Sequence, residues 1–525
     1  MMLALMCGAT LARAAENAAL ERGAAITDPL ALRELDLAEH QARGSGRAGF
    51  GLRAFVPQAP AGNAPIRNDE LFGLPSTAPV RRALDAEFDR YVARHDADLP
   101  HETIGVGSSF DWQLFDRELL YSARTRFVLA GIVNRMDRAY VSPETCGEIR
   151  LIYRLTRLDQ GPVGESASSP RLPMTLNLVL RAKGEMASAP GGAPTTCKDI
   201  AARWLAVADW PQTGVELATR LLSPGGPLQY IVPADVERIE TNLQIAHAPK
   251  SAVRDFRTDY LMKVFDYNTG SRTFEEAPLE NQIDRERLLA DATLRRDFRA
   301  WLLDPAHLAA FDRGTVVIPK KFLAKGAIAA TPVGFAPSEL QPAFGLVAGE
   351  EDGAGDPAFP ESDVVGALKE AAEHGAALQN IRSVAGFERR LNDVTCAGCH
   401  QTRGIGGFHF PGVDWMAAKP SNAVVVPASP HFFGDQVRRR DILASFRDGR
   451  PPDFSRGFSS RPQLRGSSEL AGTEYEDGWG AHCYLRHART SEDDPSFRSW
   501  TCAEGLACQM MSPATRMGMC FVNRR

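Results

Sequence analysis

The stretch Glu148-Ile-Arg-Leu-Ile-Tyr-Arg-Leu155 carries apolar side chains at nearly every second position. Alternation with a period of two over eight residues is typical of a β-strand that has one face in the core. Four other β-branched or alternating runs, each bounded by turn residues, lie on both sides of this stretch: 126–133, 174–180, 237–245 and 260–266. The five runs together predict a β-sheet.

Helical patterns separate and follow these predicted strands. The apolar periodicity predicts helices over 80–94, 197–208 and 215–222 and a helical region over 286–311. A chain that mixes strands and helices in this way is predicted to be an α+β protein, in which helices cover one mainly antiparallel sheet.

Turn and linker signals divide the remaining sequence. Tyr267-Asn-Thr-Gly270 predicts a hairpin turn with Gly270 at the position that requires positive φ. The acidic, Gly- and Pro-rich stretch 350–361 has little to bury and predicts a linker. Two further helices are predicted after it, over 363–373 and 376–391.

The string Cys396-Ala-Gly-Cys-His400 follows the second of these helices. Random placement of 9 cysteines and 11 histidines in 525 residues would produce about 0.003 such C-x-x-C-H strings. Two cysteines at this spacing can form thioethers with both vinyl groups of one porphyrin, and the adjacent histidine can ligate the iron. The string therefore predicts one covalent haem c, attached through Cys396 and Cys399, with His400 as the proximal iron ligand.

Two other interpretations of this string stay open, and either would make the chain a non-haem interaction protein. A disulfide between Cys396 and Cys399 would leave His400 without a role. A zinc site could be formed by both cysteines together with His400 and His409, although zinc sites usually place their second ligand pair further along the chain.

The predicted helix 376–391 followed by C-x-x-C-H resembles the opening of a class I cytochrome c domain over about 30 residues. The Gly- and Pro-rich segment 401–430 departs from that family. Together with the haem motif, Asn134-Arg-Met-Asp137, Cys146-Gly-Glu148 and Ala428-Ser-Pro-His-Phe-Phe-Gly434 resemble exported bacterial proteins that carry one cytochrome c motif. This resemblance implies haem and export but indicates no substrate.

A six-coordinate haem needs a second axial ligand after His400. We rank His431 first, because the chain can return from there to the distal face of the haem. Met416 is second and His409 is third. An open sixth position would instead favour a haem enzyme of the peroxidase or oxygenase type.

Arginines after the motif offer two roles beside a haem. In an enzyme, Arg403, Arg438, Arg439 or Arg440 could stabilise negative charge on a bound oxygen. Arginines near haem more often pair with its propionates. The run Arg438-Arg-Arg440-Asp441 is also typical of a solvated helix face. We therefore expect no catalytic role for these side chains.

Cysteine usage predicts an oxidising compartment. The apolar run 1–11 followed by Ala12-Arg-Ala14 predicts a signal peptide, and hence a periplasmic or secreted protein. Cys146 and Cys197 are predicted to form one bridge and the last four cysteines two local ones, with connectivity left open. The predicted disulfide cysteines are Cys146, Cys197, Cys483, Cys502, Cys508 and Cys520.

These signals predict five parts of the chain. A net charge of −5 offers no basic stripe for nucleic acid, and no apolar run after residue 11 approaches the length of a membrane span. The parts are a signal peptide (1–14), an irregular N-terminal arm (15–78), an α+β domain (79–349), a mostly helical or irregular cytochrome c-like haem domain (362–465) and a small disulfide-rich C-terminal module (466–525).

The α+β domain itself offers little chemistry. Asp137, Glu148, Glu240 and His247 lie in or beside predicted strands, where the exposed face of a half-covered sheet would explain them. The sequence contains no phosphate-binding loop, nucleophile elbow or H-E-x-x-H helix. The expected function is therefore one-electron transfer by the haem, with a redox protein or a small electron donor or acceptor as partner.

Overall fold

The computed structural model describes residues 23–37, 49–62, 64–104, 117–158, 171–183, 195–250, 257–330, 347–348, 358–396, 436–456, 482–484, 506–510 and 517–522. The predicted signal peptide lies outside these ranges. The structure confirms an α+β fold with one large antiparallel sheet and helices. Each of the five predicted strands is present and extends a few residues beyond its predicted ends.

The main sheet contains nine strands of the described chain. Its central order is β1-β3-β4-β5-β6-β7-β8, with β2 added on β6 and β9 on β7, and all pairings are antiparallel. The strands are β1 (Ala25–Ile26), β2 (Glu102–Ile104), β3 (Thr125–Arg135), β4 (Thr145–Arg157), β5 (Arg171–Lys183), β6 (Val236–Pro249), β7 (Arg257–Asn268), β8 (Thr273–Ala277) and β9 (Ala327–Ala330).

The helices confirm the predictions at 80–94, 197–208, 215–222 and 363–373. The predicted helical region 286–311 forms three consecutive helices. The helices are α1 (Pro29–Leu37), α2 (Asn68–Gly73), α3 (Ala78–Asp98), α4 (Arg117–Leu120), α5 (Cys197–Ala206), α6 (Gly214–Leu222), α7 (Arg285–Ala290), α8 (Ala292–Leu302), α9 (Pro305–Arg313), α10 (Glu361–Glu373), α11 (Val384–Asp393) and α12 (Gln436–Asp448).

The two faces of the main sheet differ in chemistry. Because side chains alternate along a strand, Ile239 and Leu243 of β6 lie on one face and Glu240 lies on the other. The first face belongs to the main hydrophobic core, to which α1, α3, α5 and α6 contribute. The second face carries arginines and carboxylates of β3, β4 and β6 that are nevertheless buried.

A second hydrophobic core is formed by the five helices from α7 through α11. The ring of Phe387 on α11 lies 5.1 Å from that of Phe311 on α9 and 5.5 Å from that of Phe359, measured between centroids. Residues on both sides of the predicted linker contribute to this core, and so does Phe359 within it. The prediction that 350–361 has little to bury was therefore wrong for the end of that stretch. The core fixes α11, which ends three residues before Cys396.

The prediction of a helix over 376–391 was wrong for its first half, because α11 begins only at Val384. The carboxylate of Asp312 accepts hydrogen bonds from three consecutive backbone N–H groups at 379–381, at 2.7–3.1 Å. A side chain thus satisfies the donors that a helical turn would otherwise use.

The predicted hairpin joins β7 to β8, but the prediction for Gly270 was wrong. The residue with positive φ is Arg272, at 59°. Asn268 pairs with Thr273, and its side-chain oxygen accepts hydrogen bonds from the N–H groups of Gly270 and Ser271. This Asx-type turn fixes the start of the loop. The residue with the left-handed backbone conformation, Arg272, therefore lies at the end of the loop.

Two small sheets lie outside the main one. The strands β10 (Val347–Ala348) and β11 (Phe359–Pro360) form a parallel pair. Near the C-terminus, β12 (His482–Tyr484), β13 (Leu506–Met510) and β14 (Met517–Val522) form an antiparallel sheet in the order β12-β14-β13. In the part of the chain that is described, none of the helices combines the length and apolar character needed to cross a membrane.

Candidate functional site

Cys396 is the one residue of the predicted haem motif that falls within the described ranges, and its thiol is free. The remaining residues predicted to bind haem or to act beside it lie outside the described residues, and their roles stay predictions. These residues are Cys399, His400, Arg403, His409, Met416 and His431.

Cys396 packs against a small apolar cluster formed by β7, β8, β9 and the loop after β8. Val264 belongs to this cluster and lies directly opposite Glu240 in the pairing of β6 with β7. Directly opposite residues share a face of a sheet, so the cluster borders the charged second face. Cys396 therefore lies where apolar and charged surfaces meet.

The electrostatics around Cys396 keep its thiol protonated at neutral pH. Burial raises the pKa of the Cys396 thiol to about 12, and the charges of Glu240 and Glu280 act in the same direction. Arg150 and Arg138 oppose this rise without cancelling it. The thiolate is the reactive form of cysteine, so Cys396 is a poor nucleophile in this environment.

The charged groups near Cys396 belong to a larger set of buried and half-buried ion pairs, here called the inner network. Glu148 of β4 is at its centre and accepts hydrogen bonds from Arg138 at 3.1 Å, Arg150 at 3.0 Å and Arg238 at 2.8 Å. Each of these arginines also contacts a second carboxylate. The members of the inner network are Arg138, Glu148, Arg150, Arg238, Glu240 and Glu280.

Glu240 and Glu280 complete the pairing of the inner network. Glu240 contacts Arg150 at 3.1 Å and Arg238 at 3.0 Å, and Glu280 is hydrogen-bonded to Arg138. The network thus balances three guanidinium groups with three carboxylates. Such balance is what makes charges tolerable at buried and half-buried positions.

Glu148 is held in its charged form by this arrangement. Burial alone would raise the pKa of Glu148, but Arg138, Arg238 and Arg150 outweigh it and hold the pKa well below its ordinary value. A carboxylate that accepts several charge-assisted hydrogen bonds is stabilised in its ionised state.

A second group of arginines surrounds Asp137 and is here called the Asp137 cluster. Asp137 contacts Arg135 at 2.8 Å, Arg438 of α12 at 2.9 Å and Arg456 at 3.9 Å. Burial would raise the pKa of Asp137, but Arg135, Arg439 and Arg438 hold it well below its ordinary value.

Two expectations about these charged residues were wrong. Asp137, Glu148, Glu240 and His247 do not lie on an exposed face, because each is at most 7% exposed. Arg438 and Arg439 do not form a solvated helix face, because Arg438 binds Asp137 and Arg439 is 6% exposed. Ion pairing across strands and with α12 makes this burial tolerable.

A cavity of about 630 Å³ lies beside the inner network. Arg138, Glu148, Arg238 and Glu280 contribute to its wall. The volume is in the range of small-molecule sites. The arginines that line it are already paired with carboxylates, so the cavity has no evident preference for a charged ligand.

Acid is expected to destabilise the folded protein through Asp137 and Glu148. Their pKa values are lower in the folded protein than in the unfolded chain, so the unfolded state takes up protons first as the pH falls. The stability they contribute is complete above the ordinary carboxyl pKa of about 4 and is lost progressively below it. Thermal unfolding should therefore show a midpoint that drops steeply below about pH 4. A constant midpoint from about pH 5 to pH 3 would contradict this explanation.

The predicted disulfide between Cys146 and Cys197 is confirmed. It links β4 to the first residue of α5. Cys508 is also disulfide-bonded, and it lies directly opposite Cys520 in the pairing of β13 with β14. Cys483 lies opposite Gly518, and Cys502 lies outside the described residues. The connectivity of these four cysteines stays open.

Comparison of the chain with models of protein families, with characterised proteins and with solved structures found no match. What the protein does is therefore inferred from its own residues and their geometry.

Proposed function

We propose that the chain binds one haem c covalently through Cys396 and Cys399, with His400 as proximal ligand, and transfers single electrons outside the cytoplasm. The observation that carries the proposal is the free thiol of Cys396 at the first position of C-x-x-C-H. A disulfide between the two motif cysteines, the competing interpretation, would consume this thiol. When bound, the haem supplies a reversible Fe(III)/Fe(II) couple.

The donor set and its support fit a covalently attached haem. The motif offers two thiols and an imidazole in the order that thioether attachment and proximal ligation use. The second hydrophobic core fixes α11, which places Cys396 beside the sheet. A rigid helix before the motif limits the freedom of the attachment site.

The Asp137 cluster provides a reason for a haem beside this face of the sheet. Arg135, Arg438 and Arg456 gather around Asp137. Arg438 and Arg456 also follow the haem motif in the chain. Guanidinium groups bind carboxylates in a planar, bidentate geometry, and haem presents two propionate carboxylates. We propose that these guanidinium groups, while paired with Asp137, attract the propionates.

The pairing of Arg438 favours electron transfer over haem catalysis. Its guanidinium already donates to Asp137 at 2.9 Å and so is engaged in a structural ion pair. A distal arginine that stabilises charge on bound oxygen needs its donors directed at the iron. We therefore propose a six-coordinate iron, with His431 as the second axial ligand and Met416 or His409 as the alternatives.

The cysteine chemistry supports export. The disulfide between Cys146 and Cys197 suits an oxidising compartment such as the periplasm, where c-type haem is attached. The signal peptide (1–14), the cytochrome c-like region (362–465) and the disulfide-rich module (466–525) are part of this proposal. The partner is a redox protein or a small electron donor or acceptor.

The test of this function is a pyridine haemochrome spectrum of protein exported from a host that matures c-type haem. We expect a c-type α band with one haem per chain, which is absent from the double variant Cys396→Ala/Cys399→Ala. The variant Ala397→Ser keeps the C-x-x-C-H spacing and should retain the haem. Reduced wild type should not bind carbon monoxide, whereas His431→Ala should bind it and His409→Ala should not.

Other outcomes would select the alternatives. A wild type without haem that binds a zinc ion lost in Cys399→Ala would establish the zinc interpretation. Absence of both groups, together with loss of the free thiol at Cys396, would indicate a disulfide. Wild type that carries haem and binds carbon monoxide readily would favour a haem enzyme over an electron-transfer protein.

A further inference from the structure

A second group of buried titratable side chains lies on the helix-covered face of the main sheet. It combines His95 from the last turn of α3, Glu102 from β2 and His247 from β6, and is here called the two-histidine cluster. One nitrogen of each histidine and one carboxylate oxygen of Glu102 lie within 4.8 Å of one another. The proposed haem function makes no use of this cluster.

The sheet pairing explains how these residues meet. Ile104 of β2 lies opposite His247 of β6, which places Glu102 on the same face two residues away. His247 and Glu240 are seven positions apart on β6 and lie on opposite faces. At roughly 3.3 Å per residue, about 23 Å of strand separates them. The two-histidine cluster is thus distinct from the surroundings of Cys396.

The contacts of His247 involve both of its ring nitrogens. Its Nδ1 lies 2.5 Å from Oε2 of Glu102, and its Nε2 lies 3.5 Å from Oδ2 of Asp259 on β7. The Tyr91 hydroxyl donates a hydrogen bond to the same Asp259 oxygen at 2.9 Å. The rings of His95 and His247 meet edge to face with centroids 5.3 Å apart.

Because these side chains are buried, negative charge among them must be compensated nearby. The side chains of His95, His247 and Asp259 are fully buried, and that of Glu102 is 9% exposed. Two carboxylates in such a place need compensating positive charge. A dication bound between the imidazoles would contribute such charge.

We propose that His95, Glu102 and His247 bind a divalent transition-metal ion of the zinc class. Two imidazole nitrogens and one carboxylate oxygen are a donor set of protein zinc sites, and three protein ligands leave a fourth tetrahedral position open. The ion takes the place of the proton shared by His247 Nδ1 and Glu102.

Asp259 and Tyr91 support this assignment from outside the ligand set. Histidines that ligate metals usually donate their other ring N–H to a carboxylate, which fixes the ring and its tautomer. Asp259 is placed to accept from Nε2 of His247, and Tyr91 orients Asp259 in turn. The alternative is an imidazolium at His247 held between two carboxylates, without a metal.

The test is a calorimetric titration of the purified full-length protein with Zn²⁺ after chelator treatment. We expect one Zn²⁺ per chain in wild type, with affinity lowered about 100-fold or more in His95→Gln and Glu102→Gln and about 10- to 100-fold in Asp259→Asn. His307→Gln, a histidine on α9 outside the cluster, is the matched control and should bind like wild type. Cys399→Ala should also retain binding, which separates this site from zinc at the haem motif.

Circular dichroism establishes that each variant is folded. Glu102 is the least buried member of the cluster, so its variant is the one best suited to leave the fold intact. Folded wild type that binds no Zn²⁺, or unchanged affinity in both Glu102→Gln and His95→Gln, would overturn the proposal and favour the imidazolium. Loss of binding in Cys399→Ala alone would overturn it as well. Binding that is retained in Cys399→Ala reports on the two-histidine cluster whether or not haem is attached.

Discussion

Glu148→Gln is expected to lower the free energy of unfolding by about 3 to 5 kcal/mol. The substitution removes the negative charge that compensates Arg138, Arg150 and Arg238, all of which donate to this carboxylate. Breaking one side of a buried ion pair leaves an uncompensated charge in a medium that excludes water. Urea unfolding of wild type and variant, followed by circular dichroism, measures the loss as a lower midpoint.

Glu237→Gln is the matched control for Glu148→Gln. Glu237 pairs with Arg181 at 2.8 Å and lies 3.8 Å from Arg238, but its side chain is 30% exposed and that of Arg181 is 49% exposed. Exposed ion pairs contribute about 1 kcal/mol or less, so this variant should unfold close to wild type. Equal midpoints for both variants would show that the inner network contributes no more than surface charges do.

Removing the disulfide with Cys146→Ala/Cys197→Ala is expected to cost about 4 kcal/mol of stability. The bridge joins residues 51 apart in sequence and so restricts a long loop in the unfolded chain. It also holds the start of α5 against β4. Thermal or urea unfolding of the double variant against wild type measures the effect.

A reducing agent provides the control for the disulfide prediction. Reduced wild type should unfold at a similarly low midpoint, because it loses the same link. Added reductant should change the double variant far less, and any remaining shift reports on the bridge that contains Cys508. A double variant as stable as oxidised wild type would show that the main core alone fixes α5.

The main sheet could be predicted because its signal is local. Strands such as β4 alternate apolar and polar residues, and a period of two is visible in a window of eight residues. Helix α11 could be placed less well, because its start depends on Asp312, a side chain more than 60 residues away in the chain. The backbone conformation at Gly270 could not be predicted either, because it depends on the neighbouring Asn268 side chain.

The burial of the charged face was predicted wrongly. Alternation along a strand shows which residues share a face, but it does not show whether that face is buried. Arg150 and Glu148 on one strand and Glu240 on another have the positions expected of a solvated face. Opposite charges at cross-strand positions, as in Arg135 opposite Glu148, were the signal that could have indicated pairing. Arg438 and Arg456, which pair with Asp137, lie far along the chain from it, so no local sequence pattern could indicate them.

The two-histidine cluster could not be predicted from any sequence pattern. His95 and Glu102 lie about 150 residues from His247, and no motif spacing links them. Only the pairing of β2 with β6 and the position of α3 bring them together. By contrast, the haem motif is contained in five consecutive residues and could be read directly from the sequence.

The most direct test of the haem proposal is an intact-mass measurement of the wild-type chain, exported from a host that matures c-type haem and analysed under denaturing conditions. Denaturation releases haem that is merely bound and leaves thioether-linked haem on the polypeptide. We predict a single species with the mass of the mature chain plus one haem. A chain recovered at its bare polypeptide mass, with no haem attached, would contradict the proposal.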